Sequence, residues 1–285
     1  MSRFRGCCRW TVYTKLQALK IFEPLVHFVR YRELILQLAR RDITGRYRGS
    51  VLGLAWSFLY PLVMLCAYML VFGYVFPFRW PGGEWTVTDK ALIIFSGMIV
   101  HQFYAECLYR APTSISMTPN LVKKVVFPLE VLPLITVLSA AFHAVVSTLI
   151  MVVFYLVVHG SLQPTVPLVI LAFVPMLFFG VGISWLLGGA GVFLRDLAQV
   201  GGVIATILLF LSPVFYPVSA LPAWAVPLFH LNPLTPSIEQ IRSVLLLGTP
   251  FAAQQWFMVT ISSVLVAALG YGCFIRIKKA FADVL

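Results

Sequence analysis

The sequence predicts an all-α integral membrane protein with six transmembrane helices, an N-terminal amphipathic interface helix and two short re-entrant helices on the outer side. Its 285 residues are 60% hydrophobic and only 11% charged, whereas about 25% of a soluble domain is charged. Several uncharged runs are long enough for one or two crossings of about 20 residues each. This composition excludes a water-soluble globule and leaves no room for a large catalytic domain.

The first 29 residues are predicted to be a cytosolic extension, followed by a transmembrane domain over residues 30–285. Basic residues interrupt this extension from Arg3 to Lys20, so it lacks the apolar core of a signal peptide. Residues 31–47 place Leu34, Ile35 and Leu38 on one side and charged residues on the others. This pattern predicts an amphipathic helix in the plane of the lipid headgroups.

Uncharged runs locate the spans, because a charged residue at the centre of a transmembrane helix is strongly disfavoured. The run over 131–194 is broken at His159-Gly160-Ser161 and at 164–167, which predicts a hairpin between two helices. Six prolines lie between 213 and 236, so only the start of that run can cross straight, and 221–230 and 234–247 are predicted to re-enter without spanning. The six predicted spans are about 54–76, 91–109, 130–158, 166–193, 198–216 and 253–275.

Basic residues fix the predicted orientation. With six spans, 18 of the 21 Lys and Arg residues fall on one face, and only Arg79, Lys90 and Arg242 fall on the other. Basic loops stay in the cytoplasm, so both termini are predicted to be cytosolic. The net charge of +11 then reflects membrane topology and gives no reason to expect nucleic acid as a partner.

Small residues recur every fourth position in two places. Gly45, Gly49 and Gly53 lead into the first span, and Gly180, Ser184 and Gly188 lie in the fourth. Small residues at this spacing allow helix backbones to approach closely, so both series are predicted to serve packing.

No enzymatic site is predicted. The chain has no G-x-x-x-x-G-K-[ST] phosphate-binding loop, so any ATP must be bound by another polypeptide, and we expect no cofactor, metal ligand or catalytic residue in this chain. Glu106 and Arg110 have the spacing of a simple pair on a helix surface. His101 and His143 lie deep in predicted helices, and packing with hydrogen bonding is preferred there to a proton relay.

Aromatic residues recur every four positions along the first span. At 3.6 residues per turn such a row winds slowly around the helix, and it could line a conduit in which rings stack on sugars. Helix packing and interfacial anchoring remain the preferred interpretation for any single ring. The row comprises Trp56, Tyr60, Tyr68, Phe72 and Phe76, with Met64 completing the series.

Four groups of residues, in order along the chain, resemble the permease subunits of ABC-2 type polysaccharide exporters, the Wzm-like group that handles O-antigen, teichoic acid and capsule. Leu129 stands where that family often has a basic residue. The groups are residues 41–53 with Trp56 and Pro61; 120–125 with Phe127-Pro128 and Glu130; Arg195-Asp196-Leu197; and 212–217 with Asn232-Pro233-Leu234 and Arg242.

The resemblance implies a homodimer that pairs with a Wzt-like ATP-binding subunit and moves a lipid-diphosphate-linked glycan across the bacterial inner membrane. It implies that residues 112–126 hold a helix seated in the ATPase, with Met117, Pro119, Asn120, Lys123 and Lys124 as coupling residues. It also implies an outer gate over 218–247 with its flanking residues, represented by Tyr216, Pro217, Trp224, Asn232 and Pro233.

Arginines cluster just before the first span, at the predicted depth of the headgroups. Guanidinium groups bind phosphate oxygens through two parallel hydrogen bonds, so Arg46 and Arg48, assisted by Arg40 and Arg41, are predicted to bind the diphosphate of the substrate. The alternative is that these arginines set the topology and bind anionic lipid.

Two other functions compete with glycan export. A permease of the same architecture could export a drug or another small lipophile, which neighbouring resistance genes would indicate. A membrane enzyme acting on lipid-linked sugars would turn over substrate without an ATPase, and the lack of a catalytic cluster argues against it.

Overall fold

The computed structural model describes residues 30–75, 80, 85–118 and 127–281. Every regular element in these ranges is helical, in agreement with the predicted all-α class. We number the α-helices in chain order: α1 Arg32–Gly45, α2 Trp56–Leu70, α3 Val87–Arg110, α4 Val131–His159, α5 Val169–Ala190, α6 Leu197–Phe210, α7 Val226–Leu231, α8 Leu234–Arg242 and α9 Ala253–Ile277.

Among the described residues, five helical segments are long and apolar enough to cross a membrane. They agree with five of the six predicted spans within a few residues. The predicted span over 198–216 contains α6, which has only 14 residues and is about 21 Å long at 1.5 Å per residue, short of the ~30 Å hydrocarbon core. The five segments are Gly53–Val75, Val87–Thr113, Val131–His159, Val166–Ala190 and Ala253–Ala280.

Helix α3 forms the centre of the molecule. Its most apolar window is 89% buried, against 11% to 33% for the other four segments, and it packs against α2, α4, α5, α6 and α8. It begins at Val87, four residues before the prediction, because Thr86 and Asp89 form a capping box. The Thr86 side chain accepts a hydrogen bond from the Asp89 backbone, and the Asp89 carboxylate accepts one in return, which satisfies two free N–H groups.

The hairpin between the third and fourth spans is confirmed. Helix α4 ends at His159 and is capped by Gly160, whose φ of +71° is left-handed, a backbone conformation that favours glycine. Helices α5 and α9 then run in backbone contact, since a Cβ on Gly182 would lie 2.6 Å from the carbonyl carbon of Val266.

The two series of small residues behave differently. In α5 the packing prediction is confirmed: Ser184 is fully buried, and a Cβ on Gly180 would lie 2.7 Å from the Phe103 ring. The first series makes no such contact within one chain: no described neighbour lies within 4 Å of a Cβ added to Gly45, Gly49 or Gly53, and the last two have positive φ, +88° and +49°. These two glycines instead allow the chain to turn between α1 and α2.

Two short helices follow α6 where re-entrant elements were predicted. Helix α7 begins at Val226 and not at residue 221. Pro227 occupies one of its first positions, where a proline is tolerated because the backbone N–H is not needed. Helix α8 continues as a π-helical turn over Ser243–Leu247 and is capped by Gly248, whose φ is +66°. Residues 234–247 are therefore helical over the predicted range, and their re-entry into the membrane stays a prediction.

Candidate functional site

Three helical segments bring pairs of polar residues together at the end of α3 that leads towards residue 118. Asp42 and Arg46 come from the end of α1, Glu106 and Arg110 from α3, and Ser139 and His143 from α4. Each pair is spaced by four residues, so its two side chains lie on the same face of the helix. We call Asp42, Arg46, Glu106, Arg110, Ser139 and His143 the polar cluster.

Two arginines and two carboxylates form its centre. The Arg110 guanidinium donates to both carboxylate oxygens of Asp42, at 2.8 and 2.9 Å, and to Oε1 of Glu106 at 2.8 Å. Arg46 also pairs with Glu106, whose side chain is only 3% exposed. A buried carboxylate requires such partners, and the four charges sum to zero.

His143 links this centre to Tyr47. Its Nδ1 lies 3.3 Å from a guanidinium nitrogen of Arg46, and its Nε2 lies 3.0 Å from the Tyr47 hydroxyl. Because a guanidinium can only donate, a hydrogen bond from Arg46 requires Nδ1 to accept; the same Nδ1 also lies 3.6 Å from a Glu106 carboxylate oxygen. Burial, together with the nearby Arg110 cation, lowers the pKa of Arg46 from its usual value, while Asp42 opposes that change.

A cavity of about 290 Å³ opens beside the polar cluster. Ten of its eleven lining side chains carry a nitrogen or oxygen atom, and only Pro61 does not. We call it the polar cavity. It is lined by Arg46, Tyr47, Trp56, Ser57, Tyr60, Pro61, Gln102, Glu106, Tyr109, His143 and Ser147.

A smaller cavity of about 50 Å³ adjoins the polar cavity and shares Tyr60, Gln102 and His143 with it. Its additional walls are mostly apolar and include Met64 and Phe95. The two cavities therefore run along one side of α2, from the polar cluster towards the middle of the predicted bilayer.

Three of the predicted conduit aromatics line these cavities. Trp56 and Tyr60 border the polar cavity and remain 40% and 53% exposed, and Tyr68 borders the smaller cavity. Phe72 stacks on Phe215 with ring centroids 5.5 Å apart, so its contact is with the segment after α6. Phe76 lies outside the described residues.

The four predicted headgroup arginines separate into two kinds. Arg46 belongs to the polar cluster and lines the polar cavity. All four residues are exposed, but Arg40, Arg41 and Arg48 line neither cavity. Of the four, the structure therefore brings only Arg46 together with the aromatic row.

Little of the predicted coupling segment is described. Met117 is 77% exposed, two residues after the fully buried Ile115. Pro119, Asn120, Lys123 and Lys124 lie outside the described residues, so their coupling role remains a prediction.

Asn232 anchors the predicted outer gate. Its amide nitrogen donates to the Leu211 carbonyl and to the Ser212 hydroxyl, both at 2.9 Å, and its amide oxygen accepts from the Leu234 backbone at 3.0 Å. Pro233 follows directly and precedes α8. Asn232 thus ties the start of α8 to the end of α6.

The other predicted gate residues lie around this anchor. The Tyr216 hydroxyl donates to the Phe210 carbonyl, and its ring centroid lies 5.9 Å from that of Phe229. Pro217 precedes a short 3-10 turn over Val218–Ala220, whereas Trp224 is 79% exposed. Tyr216 and Asn232 are therefore in packed positions and Trp224 is not.

Arg242, at the end of α8, was not predicted to belong to a site. Its guanidinium donates to the carbonyls of Ile93 and Pro213, both at 3.1 Å, and lies 4.5 Å from the centroid of the Trp80 ring. Burial lowers its pKa to about 9. It therefore fixes α8 against α3 and against the proline that follows α6.

Most of the polar cluster was also missed. The predicted pairing of Glu106 with Arg110 is confirmed at 2.8 Å, but it is not a simple surface pair, because Glu106 is buried and Arg110 also binds Asp42. The preference for hydrogen bonding by the histidines is confirmed, at His143 as described and at His101, which lies 2.9 Å from the Ala205 carbonyl. The repeated spacing of four between polar residues was the available signal for the cluster.

Comparison with known proteins identifies relatives over most of the chain. A family model described as ABC-2 type transporter matches residues 33–246. An O-antigen export system permease protein RfbA of Myxococcus xanthus is 28% identical over 198 residues, which cover 67% of this chain and 71% of the relative. Two Klebsiella pneumoniae proteins of the same name are 25% and 24% identical over 258 and 259 residues, each covering 89% of this chain and 95% of the relative.

Proposed function

Because the chain belongs to the ABC-2 type transporter family, we propose that it is the channel-forming permease subunit of an ATP-driven exporter that moves a lipid-diphosphate-linked polysaccharide across the bacterial inner membrane. The observation that carries this proposal is the similarity to O-antigen export permeases along 95% of the relatives' length. The polar cavity with its aromatic walls adds a chemical reason, since a glycan presents hydroxyl groups together with apolar ring faces.

Six crossings with both termini in the cytosol form the topology of this proposal. Helix α6 would supply the fifth crossing together with residues 211–216, whose Tyr216 packs back on Phe210. Helix α1 would lie at the cytosolic headgroups, because Ile35 and Ala39 are buried while Leu36 is 63% exposed. Helices α7 and α8 would re-enter from the outer side and form the gate.

The proposed partners are a second copy of this chain and a Wzt-like ATP-binding subunit. The apolar window of Gly53–Val75 is only 11% buried within one chain, and it carries the exposed Tyr60, so two facing copies would enclose a conduit lined by this segment. The ATP-binding subunit would contact residues 112–126 on the cytosolic side, where Met117 is exposed.

The substrate diphosphate is proposed to bind the exposed arginines Arg40, Arg41 and Arg48. Their guanidiniums lie at the surface, whereas Arg46 is already paired with Glu106. Arg46 would therefore contribute by shaping the adjoining polar cavity and would meet phosphate only if its ion pair opened.

ATP hydrolysis tests the transporter assignment. We expect the purified chain alone to hydrolyse no ATP, and we expect a subunit with a phosphate-binding loop to co-purify with it from native membranes and to hydrolyse ATP. Hydrolysis by rigorously pure permease, or the absence of any such subunit from an active preparation, would contradict the assignment.

Charge-preserving variants test the headgroup residues. Arg41→Lys combined with Arg48→Lys keeps the positive charge of the cytosolic face but removes the bidentate geometry. We expect assembly and basal ATP hydrolysis to persist, while surface polysaccharide falls at least tenfold, since two charge-assisted contacts of about 1.5 kcal/mol or more each are weakened. The control is Arg32→Lys, at an exposed position in the first turn of α1. Normal surface polysaccharide from the double variant would return these arginines to a topological role.

A further inference from the structure

We propose that the polar cavity binds the neutral sugar ring that is attached directly to the diphosphate of the exported lipid-linked glycan. This inference rests on the proposed function and adds which part of the substrate this cavity selects. It assigns Trp56, Tyr60, Gln102 and Ser147 to recognition of that ring.

The walls of the polar cavity suit a sugar better than a lipid chain. Ten of the eleven lining side chains carry nitrogen or oxygen, and a hydrocarbon chain would offer no hydrogen bond to those that are not already paired with one another, such as Gln102. The volume of about 290 Å³ is at the small end of ligand pockets. The cavity therefore fits one ring and not a folded stretch of several.

The charge balance selects a neutral ligand. Asp42 and Glu106 offset Arg46 and Arg110, and the Arg46 guanidinium is directed at Glu106 and His143. A phosphate placed in the cavity would meet the Glu106 carboxylate without a free guanidinium to compensate it. Sugar hydroxyls both donate and accept hydrogen bonds, so they can use the polar groups here at no cost in charge.

Aromatic and amide groups supply the contacts that sugar recognition requires. Trp56 and Tyr60 remain 40% and 53% exposed beside the cavity, so their ring faces are free to stack on the apolar face of a pyranose. Gln102 is exposed on α3, and Ser147 lies one turn beyond His143 on α4. The Gln102 amide offers two donors and a carbonyl acceptor, which suits a pair of neighbouring hydroxyls.

The position of the cavity matches the connectivity of the substrate. Arg48, a proposed diphosphate ligand, is two residues beyond Arg46, which lines the cavity, and two residues span about 7 Å at most. In a lipid-diphosphate glycan the first sugar is bonded directly to the diphosphate. A diphosphate held at Arg48 thus lies close enough to present this first sugar to the polar cavity.

Photo-crosslinking in cells that make their own polysaccharide tests this assignment. Tyr60→benzoylphenylalanine in the full-length permease is irradiated, and carbohydrate bound to the denatured permease is quantified. The control is Phe257→benzoylphenylalanine, because Phe257 lies on α9, away from the segment proposed to line the conduit, is 57% exposed and borders neither cavity. We expect carbohydrate at position 60 and at a second test position, Trp56, and none at position 257.

Mild acid identifies the part of the substrate that was captured, because it cleaves the bond between a sugar and a diphosphate. If the cross-link is to the sugar, the carbohydrate stays on the permease after acid treatment. Release of the carbohydrate by acid would show that a lipid or diphosphate group occupies the cavity, and it would overturn the inference.

A substitution in the cavity provides a second, independent test. Gln102→Leu keeps the side-chain size but removes the amide, and we expect about fivefold less cross-linked carbohydrate at position 60, the effect of losing one net hydrogen bond. The control is Gln199→Leu, at an exposed position on α6. An unchanged cross-link in Gln102→Leu would overturn the role of Gln102.

The amount of surface polysaccharide on the same cells distinguishes failure of the sugar site from failure of the proposed export function. If export requires this gene but neither position 56 nor position 60 captures carbohydrate, the sugar site is wrong and the proposed function stands. If export does not require this gene, the proposed function is wrong and the sugar site falls with it.

Discussion

Glu106 is a carboxylate with 3% of its side chain exposed, near the end of an otherwise largely apolar helix. Its ionised form is stabilised by contacts with both Arg46 and Arg110, and Arg110 in turn binds Asp42. Removing one member of such a cluster leaves a buried charge without its partner, which costs more than the intact cluster contributes. The balance of charge, and not the number of ion pairs, is therefore what stabilises this region.

Charge balance at Glu106 can be tested by a double variant. We expect Glu106→Gln to lower the free energy of unfolding by about 3 kcal/mol, because Arg46 and Arg110 then face each other with only Asp42 between them. Adding Arg46→Gln restores neutrality and should recover part of the loss. The midpoint of thermal unfolding of the purified complex measures the stability of each variant. A double variant that loses more stability than Glu106→Gln and Arg46→Gln lose together as single variants would contradict this explanation.

Arg242 is held in a different way, by carbonyl oxygens and an aromatic ring. We expect Arg242→Met to lower the free energy of unfolding by about 2 kcal/mol, since the carbonyls of Ile93 and Pro213 lose a buried donor. Arg32→Met, at an exposed arginine of α1, is the control and should leave the unfolding midpoint unchanged. Equal effects of the two substitutions would show that the carbonyl and ring contacts of Arg242 contribute nothing to stability.

At the scale of the elements, the bounds of long apolar helices could be predicted from the sequence, whereas the bounds of short helices were predicted less accurately. The absence of charge located α4 and α9 within a few residues, because hydrocarbon disfavours every charged side chain in the same way. The start of α3 at Val87 was missed because the capping box of Thr86 and Asp89 is a local polar signal. The length of α6 was overestimated: the predicted span ran to residue 216, whereas the helix ends at Phe210, three residues before Pro213.

The contact of α5 with α9 depends on glycine backbone, and two glycines of α9 provide a matched test. A Cβ on Gly270 would meet the carbonyl oxygen of Gly182, whereas a Cβ on Gly272 has no described atom within 4 Å. We expect Gly270→Ala to destabilise the protein by about 1 to 3 kcal/mol and Gly272→Ala to be neutral or stabilising by up to about 1 kcal/mol. Thermal unfolding of the two variants side by side measures the difference, and the reverse order would show that α5 and α9 do not pack as described.

At the scale of the whole molecule, the sequence predicted the class of protein better than the site. Basic asymmetry and the ordered motifs pointed to an ABC-2 permease, and the match over residues 33–246 confirms that family. The polar cluster could not be predicted in the same way, because Asp42, Glu106 and His143 meet only when three separate helices pack. Trp56 and Tyr60 were identified by their spacing, but their shared cavity with Gln102 depends on the same packing.

Deletion of the gene in a polysaccharide-producing bacterium tests the central claim most directly. Surface polysaccharide is quantified, and lipid-linked polysaccharide is located by its accessibility to periodate in intact and in lysed spheroplasts, with the restored gene as control. If this chain is the export permease, surface polysaccharide is lost and lipid-linked polysaccharide accumulates where only lysis exposes it. Unchanged surface polysaccharide, or its loss without any accumulation on the cytoplasmic side, would contradict the claim.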